Sequence, residues 1–234
     1  MGNTATLKEK ASRRSQAERS EAMRERLVDA TLQCLVTAGY AGTTVSRIVE
    51  TAQVSRGAPV HHFPSKAALM QAAAEQLVRR FYISLGKMIA SMQASDDRLH
   101  ALIEAAWRNL LTTPETTALL ELLVASRHEP ELAAMMQKLW AVSYRTTRTA
   151  AEHYLEPVGD HDSVGDLMIL TQWLLRGMAE DRHINAAAAD SALFFDRYLK
   201  LWTTLLAEHL RAKPGVSVPP PKPEFWDSSL SELD

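Results

Sequence analysis

Cross-links, membrane spans and extended sheet all leave characteristic marks on a sequence, and this one carries none of them. Its 234 residues contain a single cysteine, Cys34, which excludes an internal disulfide framework and fits a reducing, cytoplasmic setting. No stretch approaches the roughly 18 consecutive apolar residues of a membrane-spanning helix, and no secretory leader pattern opens the chain. Glycine is scarce, at nine residues, and no segment alternates apolar and polar residues for long, so strands are not expected. G-x-S-x-G, phosphate-loop and clustered His/Cys patterns are missing too. Glu152-His153 and Glu208-His209 are adjacent pairs rather than i, i+3 pairs, so neither converges on one point of a helical bundle. His61 and His62, as helix neighbours, point about 100° apart and make a poor metal site. The expectation is a protein that is not an enzyme and uses neither cofactor nor metal.

What is present is helical. Hydrophobic residues make up 46% of the chain, ample for a core, and the apolar spacing is that of helices throughout, so the predicted class is all-α. Near the N-terminus, Thr43 to Ala52 reads as a short amphipathic helix with Val45, Ile48, Val49 and Ala52 inward. A connection of a few residues leads into V-S-R-G-A-P-V-H-H-F-P-S-K, Val54 to Lys66. Two short helices joined so tightly make a helix-turn-helix, whose second helix suits the major groove of DNA. Ser55 is placed to cap that second helix, with Arg56 and Gly57 in its first turn and Pro59 fourth. The predicted DNA-facing residues are Thr43, Thr44, Arg47, Ser55, Arg56, Ala58, Pro59, His61, His62 and Lys66. Lys66, beside Ser65 at a helix start, adds a full charge to free N–H groups that suit a phosphate.

These residues resemble the TetR family of transcriptional regulators. The likeness runs through G-Y-x-x-T-T-V at Gly39 to Val45, the S-R-G at Ser55 to Gly57, and H-H-F-P-S-K at His61 to Lys66. It covers roughly residues 15 to 70. It implies an N-terminal DNA-binding domain, a larger helical domain for ligand binding and dimerisation, and repression of a palindromic operator relieved by a small effector. The chain departs from the pattern at three places. Gln53 stands where glycine is common in the turn, Val49 where alanine is common, and Ala58-Pro59-Val60 replaces a stretch that often carries threonine and tyrosine. Base preference therefore does not transfer from relatives.

Charge is divided in the sense that DNA binding requires. Residues 1–66 hold ten Lys or Arg against six Asp or Glu, while the whole chain carries a formal charge of −2, so the remainder is acidic. Residues 1–14 read as a flexible basic arm, 15–64 as the helix-turn-helix domain, 65–212 as a ligand-binding and dimerisation domain, and 213–234 as a Pro-rich tail bearing Phe225-Trp226. Cys34 falls on the apolar stripe of the first helix with Met23, Leu27, Ala30, Thr31 and Ala38, which suits a buried, inert thiol.

Punctuation partitions the larger domain. Ser65 starts a helix running to about residue 92, Ser95-Asp96-Asp97 caps the next, and Thr113-Pro114-Glu115, Glu129-Pro130 and Gly159 to Ser163 mark later breaks. Two further helices span about 164–184 and 190–211, for nine in all. Large, adaptable side chains nominate a ligand pocket: Trp107, Leu123, Arg127, Met135, Met136, Trp140, Tyr144, Trp173 and Met178. Leu167, Leu170, Leu174, Phe194, Tyr198, Leu201, Trp202 and Leu205 nominate a dimer interface, an isologous four-helix bundle built from the last two helices of each subunit. The expected partners are operator DNA, a small effector and a second copy of the chain. A ligand-independent architectural DNA-binding protein, or an activator, is the alternative.

Overall fold

The computed structural model describes residues 3–91, 98–160, 162–185, 191–216 and 220. In chain order its helices are α1 (Asn3–Gly42), α2 (Val45–Ala52), α3 (Ala58–His62), α4 (Lys66–Ser91), α5 (Arg98–Ala106), α6 (Pro114–Ala125), α7 (Pro130–Tyr154), α8 (Val164–Asn185) and α9 (Ser191–Ala207). The all-α expectation holds. It needs two additions. A π-helical turn, Trp107–Leu111, follows α5, where a continuous α-helix was expected. Two three-residue strands, β1 (Leu155–Pro157) and β2 (Leu210–Ala212), pair antiparallel with Leu155 opposite Ala212, so α9 stops at Ala207 rather than running to 211. α1 begins at Asn3 and runs through the segment expected as an arm. The Ser95-Asp96-Asp97 cap and the Phe225-Trp226 tail lie outside the described residues.

The helix starts follow from local chemistry. Ser65 accepts the Ala68 N–H at 3.1 Å through its hydroxyl, opening α4. Proline sits at the first position of both α6 and α7, where its missing N–H leaves no gap in the hydrogen-bond ladder. The carbonyls of Thr113 and Glu129, just ahead of those prolines, accept the first intrahelical bonds, from Thr116 at 3.1 Å and Ala133 at 2.8 Å.

Two compact units emerge, residues 1–77 with 117–135, and residues 78–116 with 136–234. The division falls within α4, α6 and α7, each of which contributes to both. In the first unit, Leu27 and Leu35 of α1, Ile48 of α2, Leu69 and Met70 of α4 and Leu122 of α6 are fully buried. Thr31 and Cys34 join that core, the Cys34 sulfur resting 3.4 Å from the Thr51 hydroxyl. Gly39 breaks α1 at a φ of 64°, where a Cβ would lie 2.7 Å from Glu121 Oε2. The dihedral favours glycine, and a side chain there would also displace the Glu121 carboxylate. The same carboxylate oxygen accepts the Tyr40 N–H at 2.9 Å. In the second unit, Ile103, Leu139, Leu206 and Leu210 are buried, and Trp107 packs against Phe195 with ring centroids 5.7 Å apart.

Candidate nucleic-acid interface and apolar cavity

The α2–α3 corner is assembled from local signals. Thr44 caps α2, its hydroxyl accepting the Arg47 N–H at 3.2 Å. Gln53 ends the helix in the left-handed region, at φ 52° and ψ 48°, as its place in the turn requires. A non-glycine residue there is strained by about 1 kcal/mol, and the Gln53 and Val54 N–H groups offset it by closing onto the Glu50 and Val49 carbonyls. α3 starts later than its sequence suggests. Ser55 does not cap it; Gly57 holds the cap position with no side-chain bond, and Pro59 becomes the second helical residue. Proline removes a donor that the first turn does not need, so the helix shifts its start to fit Pro59 rather than carrying it inside.

So short a helix needs outside support. Arg24 of α1 supplies it, donating from Nη1 to the His62 carbonyl at 3.0 Å while its guanidinium lies 4.6 Å above the Phe63 ring. Arg26 reaches the Gln53 carbonyl at 3.4 Å. Neither arginine was foreseen as a supporting residue; their i, i+2 spacing on a long charged helix carries no such signal.

Most of the predicted reading face is open. Thr44, Arg47, Ser55, Arg56 and His61 are exposed, and Ala58, His62 and Lys66 are half-buried. Three expectations need correction. Thr43 is fully buried, its hydroxyl donating to the Gly39 carbonyl at 2.7 Å, so it holds the α1–α2 corner and offers nothing outward. Pro59 is buried because its first-turn position faces the core. Val45, expected inward, is exposed at the outset of α2. Lys66 places its ammonium 4.4 Å from the Tyr40 ring centroid. Burial, then the nearby Glu129 and Glu131 carboxylates, push the Tyr40 phenol above its ordinary range. These groups, with Ser65, Gln71 and Met135, line a cleft in the first unit.

The second unit contains an apolar cavity of about 100 Å³. α4 contributes Phe81 and Leu85, α5 Leu102, Ile103 and Ala106, and the π-helical turn Leu110 and Leu111. α7 adds Thr147, Ala150, Ala151 and Tyr154; Leu155 follows it; α8 adds Met168, Thr171, Gln172 and Leu175. None of the nine residues nominated as pocket-forming lines it. Trp107, Met136 and Met178 are buried in the core. Leu123, Arg127 and Met135 belong to the first unit. Trp140, Tyr144 and Trp173 form a separate cluster: Trp140 stacks on Tyr144 at 6.1 Å, and the Trp173 indole N–H donates to the Tyr144 hydroxyl at 2.9 Å. Near it, Tyr82 buries its hydroxyl against the Ser143 carbonyl at 2.9 Å, and burial raises its phenol.

α8 and α9 present a broad exposed apolar surface. Leu170, Leu174, Phe194, Tyr198, Leu201 and Leu205 are all exposed, as nominated, and Trp173 and Leu193 add to them. Leu167 and Trp202 do not belong with these. Both pack onto the internal core, and the Trp202 indole donates to the Thr171 hydroxyl at 3.1 Å.

Comparison with known proteins places this geometry among relatives. The family model described as bacterial regulatory proteins, tetR family, matches residues 27–73. The HTH-type transcriptional regulator CymR of Pseudomonas putida is 32% identical over 126 residues, covering 54% of this chain and 62% of that protein. BetI of Burkholderia thailandensis is 30% identical over 114 residues, covering 48% of this chain and 58% of its own length. The match thus spans somewhat under two thirds of these relatives. Among solved structures, a transcriptional regulator from Rhodococcus sp. Rha1 aligns at a TM-score of 0.62 with 21% identity, over 84% of this chain and 99% of that one. One from Saccharomonospora viridis, in complex with choline, aligns at 0.60 with 16% identity, over 83% and 99%. At such identities the structural likeness concerns the fold.

Proposed function

The chain belongs to the TetR family of bacterial regulatory proteins, and from that premise we propose that it is a homodimeric repressor that binds a palindromic operator and is released by a small apolar effector. The observation that carries the reading is the exposed set Thr44, Arg47, Ser55, Arg56 and His61 around a corner fixed by Gln53 and Arg24. Its polar groups face solvent while Ile48, Val49 and Ala52 are buried behind them. The N-terminal excess of basic residues draws this end to phosphates, and Lys66 at the start of α4 is a phosphate anchor.

The exposed face of α8 and α9 supports dimerisation. Leu170, Leu174, Phe194, Leu201 and Leu205 repeat at helical spacing, and a second copy related by a two-fold axis would cover them in a four-helix bundle. A dimer supplies two reading heads, which must meet half-sites about 34 Å apart or a multiple of it. The cavity in the second unit is the effector site. By linkage, an effector that prefers the DNA-free form lowers operator affinity by the same factor. A choline-type cation would find no carboxylate among the lining residues here.

A nuclease footprint on DNA upstream of the protein's own gene tests the reading. One short palindromic protection is expected, at low ionic strength and lost steeply as salt rises. Diffuse coverage would favour an architectural role, and no protection would remove the DNA-binding reading altogether.

A further inference from the structure

The first unit contains a cleft of about 540 Å³ against the start of α4, and no step of the DNA-binding reading needs it. Small-molecule pockets run from roughly 300 to 1,000 Å³, so the space is of ligand size. Tyr40 of α1, Lys66 and Met70 of α4, and Glu129, Glu131 and Met135 at and beyond the start of α7 line it, all within this unit.

The cleft already holds a cation, one of the protein's own. The Lys66 ammonium lies 4.4 Å from the Tyr40 ring centroid, within cation–π range. Lys66 is the one basic residue of the lining, and it faces two acidic ones, Glu129 and Glu131. Neither carboxylate is ion-paired among the described residues. Both act on the ring site, since after burial they are what pushes the Tyr40 phenol up. An aromatic face beside two uncompensated carboxylates attracts positive charge. An anion entering here would gain Lys66 but meet both carboxylates, and a neutral molecule would leave them unanswered. Glu129 and Glu131 are exposed, so each contributes modestly and the affinity they support is that of a weak, exchangeable guest.

We propose that this cleft is a binding site for a small organic cation, held by the Tyr40 face and the Glu129 and Glu131 carboxylates, with Lys66 as its tethered competitor. A lysine head on a flexible four-carbon stem can leave the ring, so an incoming ammonium takes the Tyr40 face and Lys66 swings out. Met70 and Met135 adapt to the apolar part of the guest. The site does not depend on whether the second unit's cavity takes an effector.

Calorimetric titration of the full chain with cyclohexylammonium, cyclohexanol and cyclohexanecarboxylate, the same ring in three charge states, tests this at neutral pH. The ammonium is expected to bind more tightly than the alcohol, and the carboxylate not to bind. Glu129→Gln combined with Glu131→Gln should weaken the ammonium by about three- to tenfold and leave the alcohol unchanged. Tyr40→Leu should weaken it by a similar factor, about three- to tenfold, through loss of the aromatic face. Lys66→Met removes the competitor and should tighten the ammonium about threefold. Ammonium binding that is absent, or that is unchanged in the double glutamine variant, would overturn the proposal. Should Tyr40→Leu fail to melt cooperatively, the exposed glutamate pair decides alone. Weaker ammonium binding in Lys66→Met would overturn the competitor role. Preferred binding of the carboxylate, lost in Lys66→Met, would overturn the cationic class in favour of an anion.

Discussion

The two units differ in what their polar side chains do. In the first unit they tie short elements together: Thr44 caps α2, Arg24 holds the end of α3, and Thr43 closes the corner behind them. Its core, around Leu27, Leu35 and Ile48, is fully buried, and its cleft beside Tyr40 and Lys66 is lined by charged and polar groups. The second unit holds an apolar cavity among Ile103, Leu110, Ala151 and Leu175, and a buried Gln172 amide oxygen without a hydrogen-bond partner among the described residues. Under the proposed function, the first unit offers a large, charged polymer fixed geometry and open donors, and the second offers a small apolar guest room.

The comparison can be broken most easily in the core of the first unit. Ile48→Ala removes a fully buried side chain and should lower stability by about 2–5 kcal/mol in chemical denaturation, with loss of DNA binding at growth temperature. On the other unit's outer face, Leu201→Lys, alone or with Phe194→Lys, should convert the protein from dimer to monomer in analytical ultracentrifugation and weaken operator binding while random-sequence binding persists. A variant that remains dimeric would place the subunit contact elsewhere.

Inside the cavity the sign reverses. Gln172→Met should raise stability by about 1 kcal/mol in a ligand-free melt, because it removes an unsatisfied acceptor and fills space. A loss instead would mean that Gln172 finds a partner in solution. The smallest effect belongs to Asp166. The Ser163 hydroxyl, then the Arg148 guanidinium, hold its carboxyl below the usual carboxylate range. Its folded pKa being depressed, its contribution is present at neutral pH and fades as pH falls through that lowered value. Asp166→Asn should therefore flatten the acid side of the stability–pH curve slightly, and leave the curve above pH 6 parallel to that of the unaltered chain.

Legibility in the sequence also differs between the units. The reading face is written in residues that act locally, a cap at Thr44, a left-handed turn at Gln53 and a helix start at Ser65, so most of it can be read from a single sequence. The misreadings there came from competing local rules. Pro59 demands a first-turn position, which delays α3 past Ser55, and Thr43 prefers the Gly39 carbonyl to solvent. The cavity resists reading because it is an absence of atoms, and its lining mixes the small Ala106, Ala150 and Ala151 with ordinary core-type leucines. Trp107 and Met178 looked like ligand walls, yet large side chains bury the most area by filling space, and these do so in the core. The π-helical turn and the β1–β2 pair left no pattern at all in the residues that form them.

That two basic helical heads read DNA through α2 and α3 is tested most directly by titrating the footprinted duplex and a scrambled duplex of equal length, by fluorescence anisotropy, with the unaltered chain and Arg56→Ala. An Arg56 that touches a base edge predicts a loss of about 1–3 kcal/mol on the operator and a far smaller one on the scrambled duplex. Equal losses on both, or none on either, would contradict it.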